Sequence, residues 1–126
     1  MSPAEMRKLF ATAGHAIHDG EVVVPTVGSR TQRIEVSAPE DGLVRLSTRV
    51  TGPAAARAAG FGHRECWERN RLSELIGLRI GSRGEIVAES WMPVTGLTAE
   101  LVGIHIHHLA LGADRWEQQL TGEDAH

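Results

Sequence analysis

The strongest constraint on the fold is a long helical pattern near the end of the chain. Apolar residues there recur at steps of four and three from residue 102 to residue 120. They are Val102, Ile106, Leu109, Ala113, Trp116 and Leu120. This spacing fits the 3.6-residue period of an α-helix, with Thr98 as the candidate N-cap and Glu100 in the first turn. The pattern predicts one long helix with a continuous apolar face, against which a small domain can build its core.

The same segment contains three histidines in "GIHIHHLALG", namely His105, His107 and His108. In a strand, His105 and His107 would share one face, whereas in a helix they lie about 200° apart. Because the helical period holds over the longer window, only His105 and His108 can share a face. No HExxH or CxxC motif supplies the remaining ligands of a zinc site. We therefore expect no metal and no cofactor.

The predicted last helix is apolar on a second side as well. The residues on that side are Leu97, Leu101, Ile104, His108 and Leu111. A helix that is apolar over more than half of its circumference has to be covered on two sides. The second side either contacts another protein chain or packs between the sheet and the N-terminal helix of the same chain. We take these residues as a candidate dimer or partner interface, and burial within one monomer stays open as the alternative.

The rest of the chain predicts an α+β fold in the order α-βββ-α-ββ-α. Ser2 and Pro3 begin an amphipathic helix that Gly20 ends, and Gly60 and Gly62 weaken a second helix so that it is bent or broken. Pro25 places the first strand at a sheet edge. The predicted helices are 2–20, 52–70 and 98–120, and the predicted strands are 21–28, 31–38, 43–50, 76–80 and 85–92. Turns at 39–42 and 81–84 join the last four strands into two antiparallel hairpins.

Length and charge narrow the class of protein. A chain of 126 residues forms one domain, here 1–126, and a net charge of −3 does not favour a nucleic-acid partner. No apolar run reaches the roughly 18 residues of a membrane span, and the charged N-terminus is unlike a signal peptide. The single cysteine, Cys66, excludes an internal disulfide. We expect a cytoplasmic protein.

The segment "CWERNRLSELIGLRIGSRGEIVAESWMPVTG" and the helix "LTAELVGIHIHHLALGADRWEQQL" carry a family resemblance. Together with the order of elements, they resemble the type III secretion chaperone-like fold, and in particular the YbjN-like family. The resemblance covers roughly residues 61–120, while the first half agrees only in the order of its elements. The matching positions are Trp67, Asn70, Arg71, the Gly81–Gly84 turn, Trp116 and Glu117.

The resemblance implies an antiparallel sheet with the N- and C-terminal helices packed on one face, commonly a homodimer. It also implies a non-catalytic chaperone or adaptor that holds a protein or peptide client through apolar grooves and strand edges. The residues that would line such a groove are Met6, Phe10, Ile34, Val36, Val44 and Leu46. Each of them would serve equally well as an ordinary core residue.

A second hypothesis is an accessory or catalytic subunit of a small-molecule or peptide-modifying pathway. It requires His63, Cys66, His105 and His108 to converge in the fold. His63 and Cys66 are three residues apart on the predicted middle helix, but a nucleophile and a base also need a third group that orients the base. The sequence supplies no such group in a recognisable pattern. We therefore assign no catalytic residue and expect that the protein is not an enzyme.

Overall fold

The computed structural model describes residues 1–38, 41–71 and 75–121. Its elements follow the predicted α+β order, with the middle helix divided in two. They are α1 (Pro3–Thr12), β1 (Glu21–Pro25), β2 (Thr31–Ser37), β3 (Leu43–Thr51), α2 (Pro53–Ala58), α3 (His63–Asn70), β4 (Gly77–Ile80), β5 (Ile86–Pro93) and α4 (Ala99–Thr121). The predicted turn at 39–42 falls partly on residues 39–40, which lie outside the described residues.

The first helix starts where the sequence predicts and ends earlier. A capping box holds its start, because the Ser2 hydroxyl accepts from the Glu5 N–H while the Glu5 carboxylate accepts from the Ser2 N–H. The predicted end at Gly20 is wrong. The chain leaves the helix at Gly14, whose φ of +90° is a left-handed conformation that glycine adopts without steric cost.

The predicted weakness of the middle helix is confirmed as a break. Gly60 has a φ of +66° just after α2, and Gly62 is the N-cap of α3. Both positions lack a side chain that would favour continuing the helix. Two short helices therefore replace one long one, and α3 is free to lie beside β4.

The five strands form one antiparallel sheet in the order β1-β2-β3-β5-β4. Both predicted hairpins are present, and β1 lies at an edge as the proline predicted. The longest strand, β3, pairs with β5 from Leu43 opposite Pro93 to Thr51 opposite Ile86, with a bulge before Thr51. Because side chains alternate along a strand, the even-numbered residues up to that bulge face the helices, and the odd-numbered ones form the outer face.

The core lies between the inner face of the sheet and the two terminal helices. Phe10 of α1 and Val102, Ile106 and Leu109 of α4 are completely buried with strand residues. The fully buried strand residues include Val22, Ile34, Val44, Leu46, Val50, Ile86 and Met92. The terminal helices thus pack on one face, as predicted. Trp116 and Leu120, at the end of the predicted apolar stripe, are only partly buried against this core.

A buried ion pair fixes the β1–β2 loop to α4. Asp114 is 3% exposed, and its carboxylate accepts two hydrogen bonds from the Arg30 guanidinium, at 3.1 Å from Nε and 3.0 Å from Nη2. The two residues are 84 positions apart in the chain. A bidentate pair of this kind is strong and directional, so it sets how the first hairpin sits against the last helix.

Replacing Asp114 by Asn should destabilise the fold by about 3 kcal/mol, because the buried Arg30 guanidinium then loses its counter-charge. Urea unfolding followed by circular dichroism measures the loss. Glu68→Gln is the matched control, since it removes the exposed Arg64–Glu68 pair on α3 and should change stability by less than about 0.5 kcal/mol. Equal effects of the two substitutions would contradict a structural role for the Arg30–Asp114 pair.

Candidate functional site

The side of α4 that faces away from the sheet carries an exposed apolar row, which we call the α4 outer stripe. It consists of Leu97, Leu101, Ile104, His108 and Leu111. Leu101 and Ile104 are 42% and 38% exposed, His108 is exposed, and Leu97 and Leu111 are half-buried. The described residues of the same chain therefore leave Leu101 and Ile104 uncovered. These two side chains are therefore not buried within the monomer, as the alternative required.

Most of the predicted groove residues belong to the core. Phe10, Ile34, Val44 and Leu46 have no exposed surface. They are ordinary core residues, which is the alternative to a groove that the sequence left open. Met6 and Val36 are partly buried at the margin of the same cluster. A partner can reach only these last two without displacing α1 from the sheet.

His105 is drawn towards the sheet rather than towards the other histidines. Its Nδ1 lies 2.7 Å from the hydroxyl of Ser90, an inward-facing and buried residue of β5. Burial lowers the pKa of His105 below its usual value, and the charge of His108 lowers it further. The neutral imidazole can accept a hydrogen bond from Ser90, so this pair anchors the first half of α4 to β5.

The four residues of the enzyme hypothesis do not converge. Cys66 is on α3, whose Arg69 donates a 2.9 Å hydrogen bond to Gln119 near the end of α4. His105 precedes Gln119 by about 21 Å along the helix axis, at 1.5 Å per residue. Burial raises the pKa of the Cys66 thiol, as does the charge of Glu65, which opposes thiolate formation. Within residues 1–38, 41–71 and 75–121, no group of three or more His, Cys, Asp or Glu side chains could hold a metal ion.

Asn70 closes one edge of the sheet. Its carboxamide donates to the Leu78 carbonyl at 3.0 Å and accepts from the Leu78 N–H at 2.6 Å. β4 is an edge strand, so these are backbone groups that a further strand would otherwise pair with. Asn70 is one of the positions that carry the family resemblance, and the sequence alone gives it no structural role. The structure gives one, because the side chain takes the place of a neighbouring strand at Leu78.

The opposite edge, at β1, is also partly closed. Glu21 exchanges two backbone hydrogen bonds with His18, at 2.8 and 3.0 Å, and Pro25 has no N–H to offer. Between them, Val23 is the one residue of β1 that presents both its N–H and its C=O outward. An added strand would therefore find little continuous backbone to pair with on this edge of the described sheet.

Other positions of the resemblance lie on the surface of the second half. Trp67 is 61% exposed on α3, with the Arg71 guanidinium 4.9 Å from the centre of its ring. The Gly81–Gly84 segment is the turn between β4 and β5, closed by a 2.7 Å hydrogen bond from the Gly81 N–H to the Glu85 carbonyl. None of these groups forms a catalytic arrangement with a neighbour.

Comparison with known proteins gives matches at the level of structure. No family model and no curated protein matches the sequence. A chain in the structure of the ExsC–ExsE complex is 16% identical with a TM-score of 0.64, over 95% of this chain and 97% of that one. The chain has the type III secretion chaperone-like fold. The resemblance found in the sequence is thereby confirmed for the fold.

Two further structures share this type III secretion chaperone-like fold. A chain of the HopA1–SchA chaperone–effector complex is 11% identical with a TM-score of 0.57, covering 94% of each chain. YbjN from E. coli is 13% identical with a TM-score of 0.57, over 100% of this chain and 93% of that one. Among the residues that the structure describes, no helix is long and apolar enough to cross a membrane.

Acidification should destabilise the fold partly through His105. Its pKa is lower in the folded chain than the value of about 6.5 expected after unfolding, so the unfolded chain binds the proton more readily. This effect is absent above about pH 7.5, appears as the pH falls through 6.5, and is complete below the folded pKa. His105→Gln should therefore lose less stability than the wild type between pH 7.5 and 5.5, as measured by urea unfolding at each pH.

The exposed His107 provides the control, and His107→Gln should keep the wild-type pH dependence. Burial also lowers the pKa of His15, so some loss of stability at acid pH remains in both variants. An unchanged pH dependence in His105→Gln would show that the contact with Ser90 does not depend on a neutral imidazole.

Proposed function

We propose that the chain is a cytoplasmic, non-catalytic chaperone or adaptor that holds a protein client and forms a homodimer. The observation that carries this proposal is the exposure of Leu101 and Ile104 on the outer stripe of α4, the longest helix of the described chain. The fold shared with a chaperone–effector complex supports a protein client. Each part of the proposal has its own test below.

The α4 outer stripe suits packing against a second helix. Its members are spaced at three and four residues, so they form one row along the helix. The helical part of the row, from Leu101 to Leu111, is about 15 Å long at 1.5 Å per residue. A copy of the same helix crossing it about a two-fold axis would cover both rows at once, as in isologous dimers. Removal of two exposed rows from water is the driving force.

The client surface must be separate from the closed sheet edges. Asn70 occupies β4 at Leu78, and His18 occupies β1 at Glu21. A client strand can therefore pair with only short stretches of backbone at these two edges. Side-chain contacts at Met6 and Val36, on the margin of the core, are the part of the predicted groove that a client can reach in this conformation.

The dimer is tested by light scattering at micromolar concentration. The wild type should give about twice the chain mass of 13.6 kDa, and the Leu101→Glu, Ile104→Glu double variant should give the mass of one chain with an unchanged circular dichroism spectrum. Burying two charges in an apolar contact carries a large desolvation cost, which reverses the association. A monomeric wild type would contradict the proposed dimer.

Two controls separate this surface from others. Val27→Glu adds the same charge at an exposed apolar side chain in the β1–β2 loop, and it should leave the mass doubled. Ile106→Glu adds it at a fully buried position one turn away and should unfold the chain. Loss of fold in the double variant as well would show that the outer stripe is core rather than interface.

The client is tested by purification of the tagged protein from its native host and mass spectrometry of what accompanies it. We expect a protein that rebinds to the purified chain in size-exclusion chromatography, and whose binding is weakened by Met6→Glu at the half-buried margin of α1. Lys8→Glu, on the same helix and exposed, is the matched control. Recovery of no protein that rebinds would contradict a chaperone or adaptor role.

A further inference from the structure

The outer face of the sheet carries its charges in rows that run across the strands. The register places Glu21 of β1 opposite Glu35 of β2, Glu35 opposite Ser47 of β3, and Ser47 opposite Glu89 of β5. Four neighbouring strands thus contribute three carboxylates and one hydroxyl to a single row. We call this the glutamate row.

The next outward position on the strands forms a row of the opposite charge, the arginine row. It contains Arg49 on β3 and Arg79 on β4, with Val87 of β5 between them, and Arg33 follows on β2 two residues before Glu35. On the other side of the glutamate row, β3 presents Arg45, opposite Ser37 and Trp91. Along β3 the outer face therefore reads arginine, serine between two glutamates, and arginine.

Four of these charges form two ion pairs, and three, on Glu35, Arg45 and Arg49, form none among the described residues. Arg79 donates to Glu89 at 2.9 Å, and Arg33 lies 3.8 Å from Glu21. Within the described part of the chain, Arg45 and Arg49 have no carboxylate within ion-pair distance. The two cations without a counter-charge therefore both project from β3, the central strand of the sheet.

Arg45 is held in place without an acceptor. Its guanidinium lies 5.5 Å from the centre of the Trp91 ring, and Trp91 itself is 38% exposed. The Arg45 Nε and the hydroxyl of the opposite Ser37 are buried polar atoms with no hydrogen-bond partner in the described structure. Buried polar groups are satisfied in most proteins, so these two atoms mark a position that lacks an interaction.

The row arrangement has an energetic cost for the chain alone. Like charges directly opposite each other on neighbouring strands, such as Glu21 and Glu35, destabilise a sheet. A face that only meets water would gain from opposite charges at these positions. Residues of both rows also line an open cleft of about 620 Å³, which extends to Glu117 of α4. Its walls include Arg33, Glu35, Ser47, Arg49, Arg79 and Val87.

We propose that the outer face binds an extended segment of a partner protein that runs along β3 and carries acidic, basic and acidic side chains at alternate positions. Outward residues on a strand are about 6.6 Å apart, which is also the spacing of every second residue in an extended peptide. The acidic side chains meet Arg45 and Arg49, and the basic one meets the glutamates that flank Ser47. The inference rests on the proposed function in that the occupant is a protein segment.

The same charges select against a nucleic acid. The glutamate row lies between Arg45 and Arg49 along β3. A phosphate backbone that contacted both arginines would therefore also place a negative charge against the glutamates. A segment of the form Glu-x-Lys-x-Glu satisfies all three positions at once. The reversed order, Lys-x-Glu-x-Lys, places like charges together at each of them.

The test uses two synthetic fluorescent peptides of equal composition outside these positions, one with Glu-Thr-Lys-Thr-Glu and one with Lys-Thr-Glu-Thr-Lys. Fluorescence polarisation with the full chain at low ionic strength should show about tenfold tighter binding of the first, falling as salt is added. Arg49→Gln should remove most of that preference. Arg7→Gln, at an exposed position on α1, should leave it unchanged.

A charge-reversal variant tests the register directly. Arg45→Glu, Arg49→Glu should bind a Lys-Thr-Lys-Thr-Lys peptide in preference to the first peptide. If the substitution at Arg45 prevents folding, Arg49→Glu alone should still shift the preference at the one position it faces. Equal binding of the first two peptides by the wild type, or an Arg49→Gln variant that keeps the preference, would overturn the inference.

The outcomes also separate this inference from the proposed function. A client that rebinds to Arg45→Gln, Arg49→Gln as well as to the wild type would overturn the outer-face site and keep the chaperone role. Peptide discrimination in a chain from which no client can be recovered would keep the outer-face site and contradict the chaperone role.

Discussion

The packing of α4 across the inner face of β3 is the contact on which the remaining structure depends. Val102, Ile106 and Leu109 are fully buried there, and they bring together strands that are distant in the sequence. Because the sheet and α1 cover only one side of this helix, the opposite side keeps its apolar residues at the surface. The position of α4 thus accounts both for the core, on its buried side, and for the α4 outer stripe, on its exposed side.

The edges and the outer face of the sheet differ in how much they offer a partner. Asn70 and His18 satisfy backbone groups at the two edge strands, which limits pairing with another chain. The outer face is open, and among the described residues the guanidinium groups of Arg45 and Arg49 on β3 have no carboxylate partner. Apart from the α4 outer stripe, the outer face of the sheet is therefore the surface that this fold leaves most accessible to a partner. Cys66 on α3 and His105 on α4 lie too far apart for shared chemistry.

Much of the fold follows from local periodicity. The four-and-three spacing along α4, the alternation in both hairpins and the glycines between α2 and α3 each act within a few residues, so a reader of the sequence can predict them. The predicted end of α1 was wrong because Gly14 and Gly20 are equally good helix terminators in the sequence, and both have a positive φ in the structure. The apolar groove could not be told from the core, since both require the same residue types at the same spacing.

The sequence by itself determined the elements, their order and the existence of a second apolar side on the last helix, because each depends on neighbours in the chain. Only the tertiary structure decided what that side meets, and it leaves Leu101 and Ile104 uncovered. The same holds for the Arg30–Asp114 pair and for the Asn70 contact with Leu78. These depend on strand order and register, which bring together side chains that no local pattern relates, and the charge rows of the outer face appear only once that register is known.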